Sequence, residues 1–212
     1  MPLATLSTSR PLLHPAGQAG APRGARLRLL YPDTFRVTIL SVSSEFATVV
    51  ERKTFRDAMA RLGAAVNVIT TLSSGEAFGL TASAVCSVTD DPPTLLLCIN
   101  RDTDLNEVLK VSRFLCVNTL SAGQEELSPV FAGLTGIPQA ERFKLGAWTT
   151  LETGAPVLED AVVSFDCRIS QFVEVGTHTV FFCEVQAIKS GAAHEGLIYF
   201  GRAYHRIIVE AA

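Results

Sequence analysis

One stretch of the sequence gathers small polar side chains inside an apolar run, where a flat ligand could approach the main chain. From Gly79 to Val88 the chain reads Gly-Leu-Thr-Ala-Ser-Ala-Val-Cys-Ser-Val. Side chains this small leave backbone N–H and C=O groups within reach of a ring edge or a phosphate. The same composition also suits a strand that packs tightly against a neighbour. Taken alone, the stretch predicts either a ring-binding strand or an ordinary packed one.

A second cluster, Asn100-Arg101-Asp102-Thr103, falls where a buried apolar run ends and a helical pattern begins. The N-terminus of a helix presents unpaired N–H groups and a partial positive charge, so it is a natural seat for a phosphate. Arg101 and Thr103 would add donors to that seat. An ordinary N-cap by Asp102 or Thr103 explains the same residues equally well.

Two further segments place histidine and aromatic side chains beside glycine. Gly176-Thr177-His178 lies between two long strand-like runs, and a segment from Tyr199 to His205 contains two tyrosines, a phenylalanine and an arginine. A histidine beside a glycine turn can donate to a carboxamide or a phosphate, and aromatic rings can stack on a nicotinamide or a flavin. A solvated histidine with no role in binding is the alternative interpretation.

The common signatures of nucleotide binding and hydrolysis are absent, since the sequence contains no GxGxxG, GxxxxGK[ST], HExxH or GxSxG. A Rossmann domain and a P-loop are therefore not expected. The cysteines form no CxxC pair and no Cys/His cluster with zinc spacing, so no metal site is predicted. We expect all five to be reduced, buried thiols of a cytoplasmic protein: Cys86, Cys98, Cys116, Cys167 and Cys183.

The elements that must hold these residues are mostly strands. A short helix is predicted with Thr54 as its N-cap and its end near Gly63. Phe78–Val88 is predicted as one strand, and Thr94–Ile99 as a strand buried on both faces. Other strands are expected near 65–72, 114–120, 148–151, 162–173, 179–188, 197–200 and 204–209, with helices near 103–111 and 122–131. The absence of a βαβ rhythm predicts a mainly β barrel with peripheral helices.

Composition and charge change at about residue 45. Residues 1–44 are rich in Pro, Gly, Ala, Ser and Arg and have no helical or strand period, so we expect a disordered or non-native extension before one domain over 45–212. An organellar transit peptide is the alternative. The first 32 residues carry four arginines and no acid, so the net charge of −3 leaves an acidic body unsuited to nucleic acid. No apolar run reaches the roughly 18–20 residues that cross a membrane.

Together these segments resemble the flavin reductases of the FMN-binding split-barrel class. The likeness runs from Thr54 to about Ile207 and is greatest to the branch that serves bacterial pyrimidine (uracil) degradation. It is carried by TFRDAM (54–59), GAAVN (63–67), TASAVCSVTD (81–90), LCVNTLSAGQE (115–125), VSFDCRIS (163–170), VGTH (175–178) and Tyr204-His205. Reductases that serve hydroxyphenylacetate-type aromatic monooxygenases are the alternative placement.

The resemblance implies a six-stranded split β-barrel that forms a homodimer with a flavin site near the interface. It assigns Thr81, Ala82, Ser83 and Ser87 to the isoalloxazine ring, Cys98, Asn100, Arg101 and Thr103 to the ribityl-phosphate, and His178, Tyr199, Phe200, Gly201 and Arg202 to the nicotinamide. The chain departs from the family's pattern at Asp102 and Asp104, because an acid close to a phosphate is unfavourable. Either those carboxylates point away or flavin binds weakly.

The activity that the resemblance implies is an NAD(P)H:FMN oxidoreductase that supplies reduced flavin to a partner monooxygenase. FMN or FAD and NADH or NADPH are the expected cofactors, since no ribose-reading residue can be located without a Rossmann loop. His178 is expected to position the nicotinamide rather than to donate a proton, because the cofactors themselves carry the hydride chemistry. An oxidase with permanently bound FMN and a non-catalytic flavin-binding protein are the alternatives.

Overall fold

A computed structural model describes residues 50–208, and the predicted extension over 1–44 lies outside the described residues. The helices of the described part are α1 (Arg52–Met59), α2 (Asp104–Ser112), α3 (Leu127–Phe131) and α4 (Gln139–Arg142). The strands are β1 (Ala64–Ala65), β2 (Asn67–Ser73), β3 (Glu76–Ala82), β4 (Val85–Asp90), β5 (Pro93–Asn100), β6 (Phe114–Thr119), β7 (Trp148–Thr150), β8 (Pro156–Leu158), β9 (Val163–Val175), β10 (His178–Ser190), β11 (Glu195–Phe200) and β12 (Ala203–Ile208). Within 50–208, no helix has both the length and the apolar character needed to span a membrane.

Seven strands form one sheet in the order β3-β2-β6-β9-β10-β5-β4. β3 and β4 lie at its opposite edges, although only Ser83 and Ala84 separate them in the chain. The three chain steps from Ala82 to Val85 span at most about 11 Å, so the two edges must come together. The sheet therefore closes as a barrel, and the chain crosses the seam at Ser83-Ala84.

The predicted mainly β barrel with peripheral helices is confirmed, with one difference in the strand count. The resemblance implies a six-stranded barrel, and the sequence pattern predicts one continuous strand over Phe78–Val88. The sheet has seven strands because that run divides into β3 and β4. Ser83 and Ala84 leave the ladder where the backbone passes from one edge to the other. Counted as one bent strand, β3 and β4 restore the predicted six.

A smaller sheet, β1-β11-β12, carries the aromatic segment near the C-terminus. Its hairpin turns at Gly201 and Arg202, whose φ angles of 60° and 65° are the two left-handed positions that a type I′ turn requires. The Gly201 N–H donates to the Ala60 carbonyl oxygen at 2.7 Å. The hairpin is thus tied to the end of α1.

The barrel interior is an apolar cluster to which alternate residues of β5 contribute. Leu97 and Ile99 are fully buried beside Phe181 of the neighbouring strand β10. The prediction that this strand is buried on both faces is wrong, because Leu96 and Cys98 are only half-buried. The outward face of β5 lines a cleft that is described below.

α1 differs from its prediction at both ends. Its N-cap is Glu51 rather than Thr54, and it ends at Met59, four residues before the predicted end. Its apolar side chains Phe55 and Met59 face outward, at 57% and 46% exposed, and Leu62, which follows the helix, is 62% exposed. An apolar face exposed on a short helix marks a surface that contacts a ligand or a partner.

The cysteines are all free, but they do not share one environment. Cys116, Cys167 and Cys183 are buried, as predicted, and Cys98 is half-buried. The prediction is wrong for Cys86, which is exposed. Cys86 lies on β4, an edge strand of the sheet on which Cys86 and the residues after it up to Asp90 are exposed.

A buried polar cluster joins four strands, β2, β6 and β9 of the large sheet and β8 of the small β7–β8 sheet. Asn118 of β6 donates through Nδ2 to the Val68 carbonyl oxygen and to Thr70 Oγ1, both at 3.1 Å. Its Oδ1 accepts from the Leu158 N–H at 2.8 Å and from Ser164 Oγ at 2.9 Å. Because each polar group has a partner, the cluster fixes the registers of β2, β6, β8 and β9.

Candidate functional site

A cleft of about 800 Å³, here termed the seam cleft, opens where the chain crosses the barrel seam. The backbone stretch Ser83–Cys86 lines it together with Leu96 and Cys98, the outward side chains of β5. The remaining lining residues come from α1, β1, the segment between them and the β11–β12 hairpin: Arg56, Met59, Ala60, Leu62, Ala64, Tyr199 and Arg202. The lining is largely apolar, and it includes the guanidinium groups of Arg56 and Arg202.

The backbone of the seam stays accessible because its side chains are small. Ser83 and Ala84 are exposed, and the Ala84 carbonyl oxygen accepts from the Cys98 N–H at 3.0 Å. The pKa of the Cys98 thiol is raised, first by burial and then by the neighbouring Cys86 thiol. Cys98 is therefore a neutral, apolar part of the cleft lining at neutral pH.

A second space of about 230 Å³, here termed the side cavity, adjoins the seam cleft. Both spaces are lined by Ser83 and Tyr199. The other side-cavity residues are Val66, Thr81, Ala82, Ser128, Ala132, Leu134 and Tyr204. The seam cleft and the side cavity thus follow one strand run, Thr81–Cys86, from one edge of the sheet to the other.

Hydroxyl contacts border the side cavity. Thr81 Oγ1 donates to the Ser128 carbonyl oxygen at 2.7 Å, and Ser128 Oγ lies 2.8 Å from the Tyr204 hydroxyl. Tyr204 stands directly opposite Tyr199 in the β11–β12 ladder, with ring centroids 5.4 Å apart. These contacts fix an aromatic pair at the boundary between the two spaces.

Asp102 and Asp104, the departure noted in the sequence, line neither the seam cleft nor the side cavity. With Thr103 they line a polar space of about 420 Å³ beside Gln139 and Arg142. The Arg142 guanidinium donates to Gln139 Oε1 at 2.8 Å, while the buried Gln139 Nε2 finds no hydrogen-bond partner among residues 50–208. The two carboxylates therefore point away from the cleft that Ser83 lines.

The segment predicted to seat a phosphate makes local contacts of its own. Arg101 pairs with Glu174 at 3.2 Å and donates to the Gly176 carbonyl oxygen at 3.5 Å, both on the β9–β10 hairpin. The pKa of Glu174 is lowered, chiefly by its hydrogen bond from Lys110 and also by Arg101. Asn100 Oδ1 accepts from the Asp102 N–H at 3.1 Å. The Arg101 charge is thus shared with a carboxylate.

His178 is exposed at the first position of β10. In the strand register it stands opposite Asn100, and its Nδ1 lies 2.9 Å from Thr177 Oγ1. The Arg101 N–H donates to the Thr177 carbonyl oxygen at 2.9 Å. The structure thus places His178 beside the predicted phosphate segment, whereas Tyr199 lies on a different sheet at the seam cleft.

The predicted site residues fall into two groups. Those that line the seam cleft or the side cavity are Thr81, Ala82, Ser83, Cys98, Tyr199 and Arg202. Those that line neither space are Ser87, Asn100, Arg101, Thr103, His178, Phe200 and Gly201. Within residues 50–208, no group of three or more His, Cys, Asp or Glu side chains is placed to hold a metal ion.

Sequence reasoning missed the contribution of α1 and of the side-cavity hydroxyls. Met59 and Leu62 had a signal, since they belong to the predicted apolar stripe and such a stripe without a partner in the fold can contact a ligand. Tyr204 also had a signal, since Tyr204-His205 is one of the segments that carry the resemblance to the family. Ser128 had no signal, because its contacts arise only when α3 packs on β3 and β12.

A barrel closed by one bent strand, with a cleft at its seam, is the arrangement of the flavin reductase class. Residues 59–207 match the family described as "Flavin reductase like domain". The match covers more than half of the chain, so the chain belongs to this family.

Curated relatives agree with that assignment. The chain is 55% identical over 161 residues to the FMN reductase (NADH) RutF of Ancylobacter novellus, an alignment that covers 76% of this chain and 88% of that protein. It is also 55% identical over 160 residues to the FMN reductase (NADH) RutF of Escherichia coli O139:H28, covering 76% and 96%. The expected likeness to this branch of the family is therefore confirmed.

Solved structures share the fold. A crystal structure from Haemophilus somnus 129PT has a TM-score of 0.72 at 47% identity and covers 74% of this chain and 100% of its own. The NADH:FAD oxidoreductase SgcE6 of Streptomyces globisporus, solved with NAD and FAD fragments, has a TM-score of 0.69 at 30% identity over 76% and 96%. The styrene monooxygenase flavin reductase of Pseudomonas putida S12 has a TM-score of 0.64 at 26% identity over 74% and 99%.

Proposed function

We propose that this protein uses NADH to reduce FMN and releases the reduced flavin to a flavin-dependent monooxygenase. The observation that carries the proposal is the pair of adjoining spaces at the barrel seam, which share Ser83 and Tyr199. A volume of about 800 Å³ lies within the usual range of about 300–1,000 Å³ for ligand sites. A flavin ring in the larger space and a nicotinamide ring in the smaller would meet at that shared boundary.

The residues of the seam cleft fit a flavin. Ser83 and Ala84 present main chain to a ring edge, and Leu62 and Leu96 supply apolar contact for its faces. Arg56 also lines the cleft and offers a positive charge to a phosphate. No carboxylate is among the described lining residues, although Arg202, the other lining guanidinium, is paired with Asp57.

The residue assignments are part of this proposal. Thr81, Ala82, Ser83 and Ser87 are assigned to the isoalloxazine ring, Cys98, Asn100, Arg101 and Thr103 to the ribityl-phosphate, and His178, Tyr199, Phe200, Gly201 and Arg202 to the nicotinamide. Thr81 and Ala82 line the side cavity and not the seam cleft, and Arg202 lines the seam cleft and not the side cavity. The placement of the flavin in the seam cleft and the nicotinamide in the side cavity therefore departs from the resemblance at these three residues.

Asp102 and Asp104 lie away from the seam cleft, so they do not oppose a phosphate bound there, but they share their polar space with Thr103, one of the assigned phosphate residues. The pairing of Arg101 with Glu174 indicates that its contribution to phosphate binding is weaker than that of an unpaired guanidinium.

The nicotinamide and flavin supply the hydride chemistry when bound, and the protein supplies orientation. Tyr199 borders both spaces and holds two rings in one stack. Ser83 sets how closely a ring can approach the main chain. Apolar side chains of α1 and β5 exclude water from the faces of the rings. No side chain is required as a nucleophile or as a general base.

The choice of cofactors rests on the relatives. Two proteins at 55% identity are named FMN reductase (NADH), which favours NADH over NADPH and FMN over FAD. SgcE6, at 30% identity, uses FAD, so FAD remains a second flavin to be measured.

The recipient of the reduced flavin is proposed to be a monooxygenase of pyrimidine degradation. The 55% identity to RutF proteins supports that branch over reductases of aromatic monooxygenases. A structural relative at 26% identity serves styrene monooxygenase, so transfer of flavin to a separate oxygenase occurs within the fold. Five free cysteines accord with the reducing conditions of the cytoplasm, where we place the protein.

A homodimer is proposed from the apolar surface around the seam cleft. Phe55 of α1 and Leu62, which follows α1, are more than half exposed, and Phe200, Ile207 and Ile208 of the β11–β12 hairpin are 45%, 45% and 62% exposed. Apolar side chains grouped in this way mark a protein interface. Size-exclusion chromatography with light scattering should give twice the mass of the 22.7 kDa chain.

Steady-state turnover with each nicotinamide and each flavin tests the function. NADH with free FMN should give stoichiometric turnover, with a kcat/KM at least about 10-fold above that of NADPH. Turnover of bound flavin only, without reduction of added FMN, would indicate an oxidase with permanent FMN. Bound flavin that NADH does not bleach under anaerobic conditions would indicate a non-catalytic flavin-binding protein.

The boundary of the folded domain is a separate proposal. Residues 1–44 carry no folding signal, so a chain that starts at Glu51 should keep both its melting temperature and its turnover of FMN. A large loss of either property would show that the extension takes part in the fold or in the site.

A further inference from the structure

Tyr199 stands between the seam cleft and the side cavity, and its ring is held by Tyr204. The two residues are directly opposite in the β11–β12 ladder, with ring centroids 5.4 Å apart and planes at 60°. An edge-to-face pair of this kind favours one relative orientation of the rings. Whatever fixes Tyr204 therefore also restricts Tyr199.

Tyr204 is fixed by a chain of hydroxyl contacts, here termed the hydroxyl bridge. The Tyr204 hydroxyl lies 2.8 Å from Ser128 Oγ, and Thr81 Oγ1 donates to the Ser128 carbonyl oxygen at 2.7 Å. Ser128 is 1% exposed, so water has little access to its hydroxyl. The bridge joins β12, α3 and β3, which are far apart in the sequence. It ties the aromatic pair to β3, the strand that ends directly before Ser83.

The side cavity suits a single uncharged ring. Its volume is about 230 Å³, and it includes the apolar side chains of Val66, Ala132 and Leu134. It has no charged lining residue, so a phosphate is disfavoured there. The larger seam cleft, which two arginines line, is the better place for a phosphorylated flavin.

We infer that Ser128 and Tyr204 are positioning residues for hydride transfer. The hydroxyl bridge holds Tyr199 at the boundary, so that a nicotinamide ring in the side cavity meets the flavin ring at reacting distance. The inference rests on the proposed function. Reacting atoms must approach to about 3–3.5 Å, and a misplacement of about 1 Å can cost about 100-fold in rate. Neither hydroxyl needs to touch a reacting atom for this effect.

The chain offers a matched control for the removal of a buried hydroxyl contact. Thr71 Oγ1 donates to Ser112 Oγ at 3.1 Å, and Thr71 is fully buried. Neither residue lines the seam cleft or the side cavity. Ser112→Ala therefore removes a hydroxyl pair of the same kind without disturbing Tyr199.

The test compares Tyr204→Phe, Ser128→Ala, the double variant and Ser112→Ala in the full chain. The rate constant for anaerobic reduction of bound FMN at saturating NADH is measured by stopped flow, with the FMN Kd and the melting temperature measured in parallel. We expect Tyr204→Phe and Ser128→Ala each to slow reduction by about 10-fold, while the FMN Kd changes less than about 3-fold. Ser112→Ala should leave the reduction rate unchanged.

The double variant should be no slower than either single variant, because both substitutions break the same bridge. Lower melting temperatures with unchanged reduction rates would show that the bridge is only structural and would overturn the inference. A loss of FMN affinity with normal reduction of the flavin that still binds would overturn it as well. If the unaltered protein fails to reduce FMN with NADH, the proposed function itself is wrong, so the two failures are distinguishable.

Discussion

The seam stretch, Thr81–Cys86, and the polar cluster around Asn118 both place small polar side chains on strands of the same barrel. In the cluster, Asn118 and Ser164 are buried and each finds hydrogen-bond partners on neighbouring strands. In the seam stretch, Ser83 and Cys86 are exposed, because β3 and β4 are the two edges that close the barrel. The two regions contain similar residue types, and their different positions in the sheet explain why one is buried and the other exposed.

The difference teaches how a barrel can hold a ligand without a dedicated domain. A central strand must satisfy every polar group internally, since a buried unpaired group costs about 1–3 kcal/mol. An edge strand leaves backbone and side chains available, and at the seam the adjoining cleft is a space of about 800 Å³. Small polar residues therefore stabilise the fold at Asn118 and leave room for a ligand at Ser83.

The largest expected contrast is in thiol reactivity between the two regions. Cys86 is exposed on the seam stretch, whereas Cys116 is buried and donates to Asn118 Oδ1 at 3.4 Å. Burial, and to a lesser degree the nearby Asp166 charge, raise the pKa of Cys116 far above its usual value. Because the thiolate is the reactive form, iodoacetamide should modify Cys86 at least about 1,000-fold faster at pH 8.

Mass spectrometry of peptides after timed labelling measures both rates. Cys183, whose pKa burial raises to about 12, should label as slowly as Cys116. Saturating FMN should slow the labelling of Cys86 and leave the other rates unchanged. Equal rates for Cys86 and Cys116 would show that the two regions do not differ in exposure as described.

The next effect is on stability, through Asn118→Ala. The substitution leaves the Leu158 N–H, the Ser164 hydroxyl and the Val68 carbonyl without their partner. We expect a loss of about 3–4 kcal/mol in the free energy of unfolding, and a melting temperature lower by roughly 10 °C. FMN affinity of the folded protein should stay normal.

The matched control is Gln186→Ala, which removes an exposed amide. Gln186 donates to the Glu184 carbonyl oxygen on the surface of β10, so its loss should change stability by less than about 0.5 kcal/mol. Thermal and urea unfolding of the two variants measure the contrast. An Asn118→Ala protein as stable as Gln186→Ala would mean that water replaces the lost partners.

The same comparison explains what could be predicted from the sequence. The strand pattern places most strands. The continuous apolar run of β5 predicts Leu97 and Ile99 as core, but it does not distinguish them from Leu96 and Cys98, which are half-buried. The split of Phe78–Val88 could not be predicted, because it results from closure of the sheet and not from a local signal at Ser83. Edge position also explains why Cys86 was wrongly expected to be buried.

The candidate site was predictable only where it follows a continuous strand. Thr81–Ser83 stand together in the sequence and in the side cavity. Ser128 and Arg56 reach the same region from α3 and α1, and such long-range contacts leave no local pattern. His178 was expected beside the nicotinamide, yet its strand register pairs it with Asn100. Its role remains a prediction.

Ser83→Leu tests whether the seam stretch is open for a ring. A leucine at Ser83 would fill the boundary between the seam cleft and the side cavity, so FMN affinity should fall by about 100-fold. The melting temperature should change little, because Ser83 is exposed. Ser190→Leu, at the exposed end of β10, is the control and should leave FMN affinity unchanged. A normal FMN affinity in the Ser83→Leu variant would show that the flavin binds elsewhere.

The smallest expected effect concerns His178, which belongs to neither region and therefore tests how far the site extends from the seam. It is exposed at the start of β10, so its removal should cost binding and not folding. His178→Ala should raise the KM for NADH or slow hydride transfer by about 10-fold, the worth of one good hydrogen bond at ~1.4 kcal/mol. FMN affinity and the melting temperature should stay within error. The matched control, His194→Ala, replaces another exposed histidine and should leave all four properties unchanged. A selective loss of FMN affinity in His178→Ala would place this histidine with Asn100 at the flavin phosphate, and would restrict the nicotinamide site to the aromatic pair at the seam.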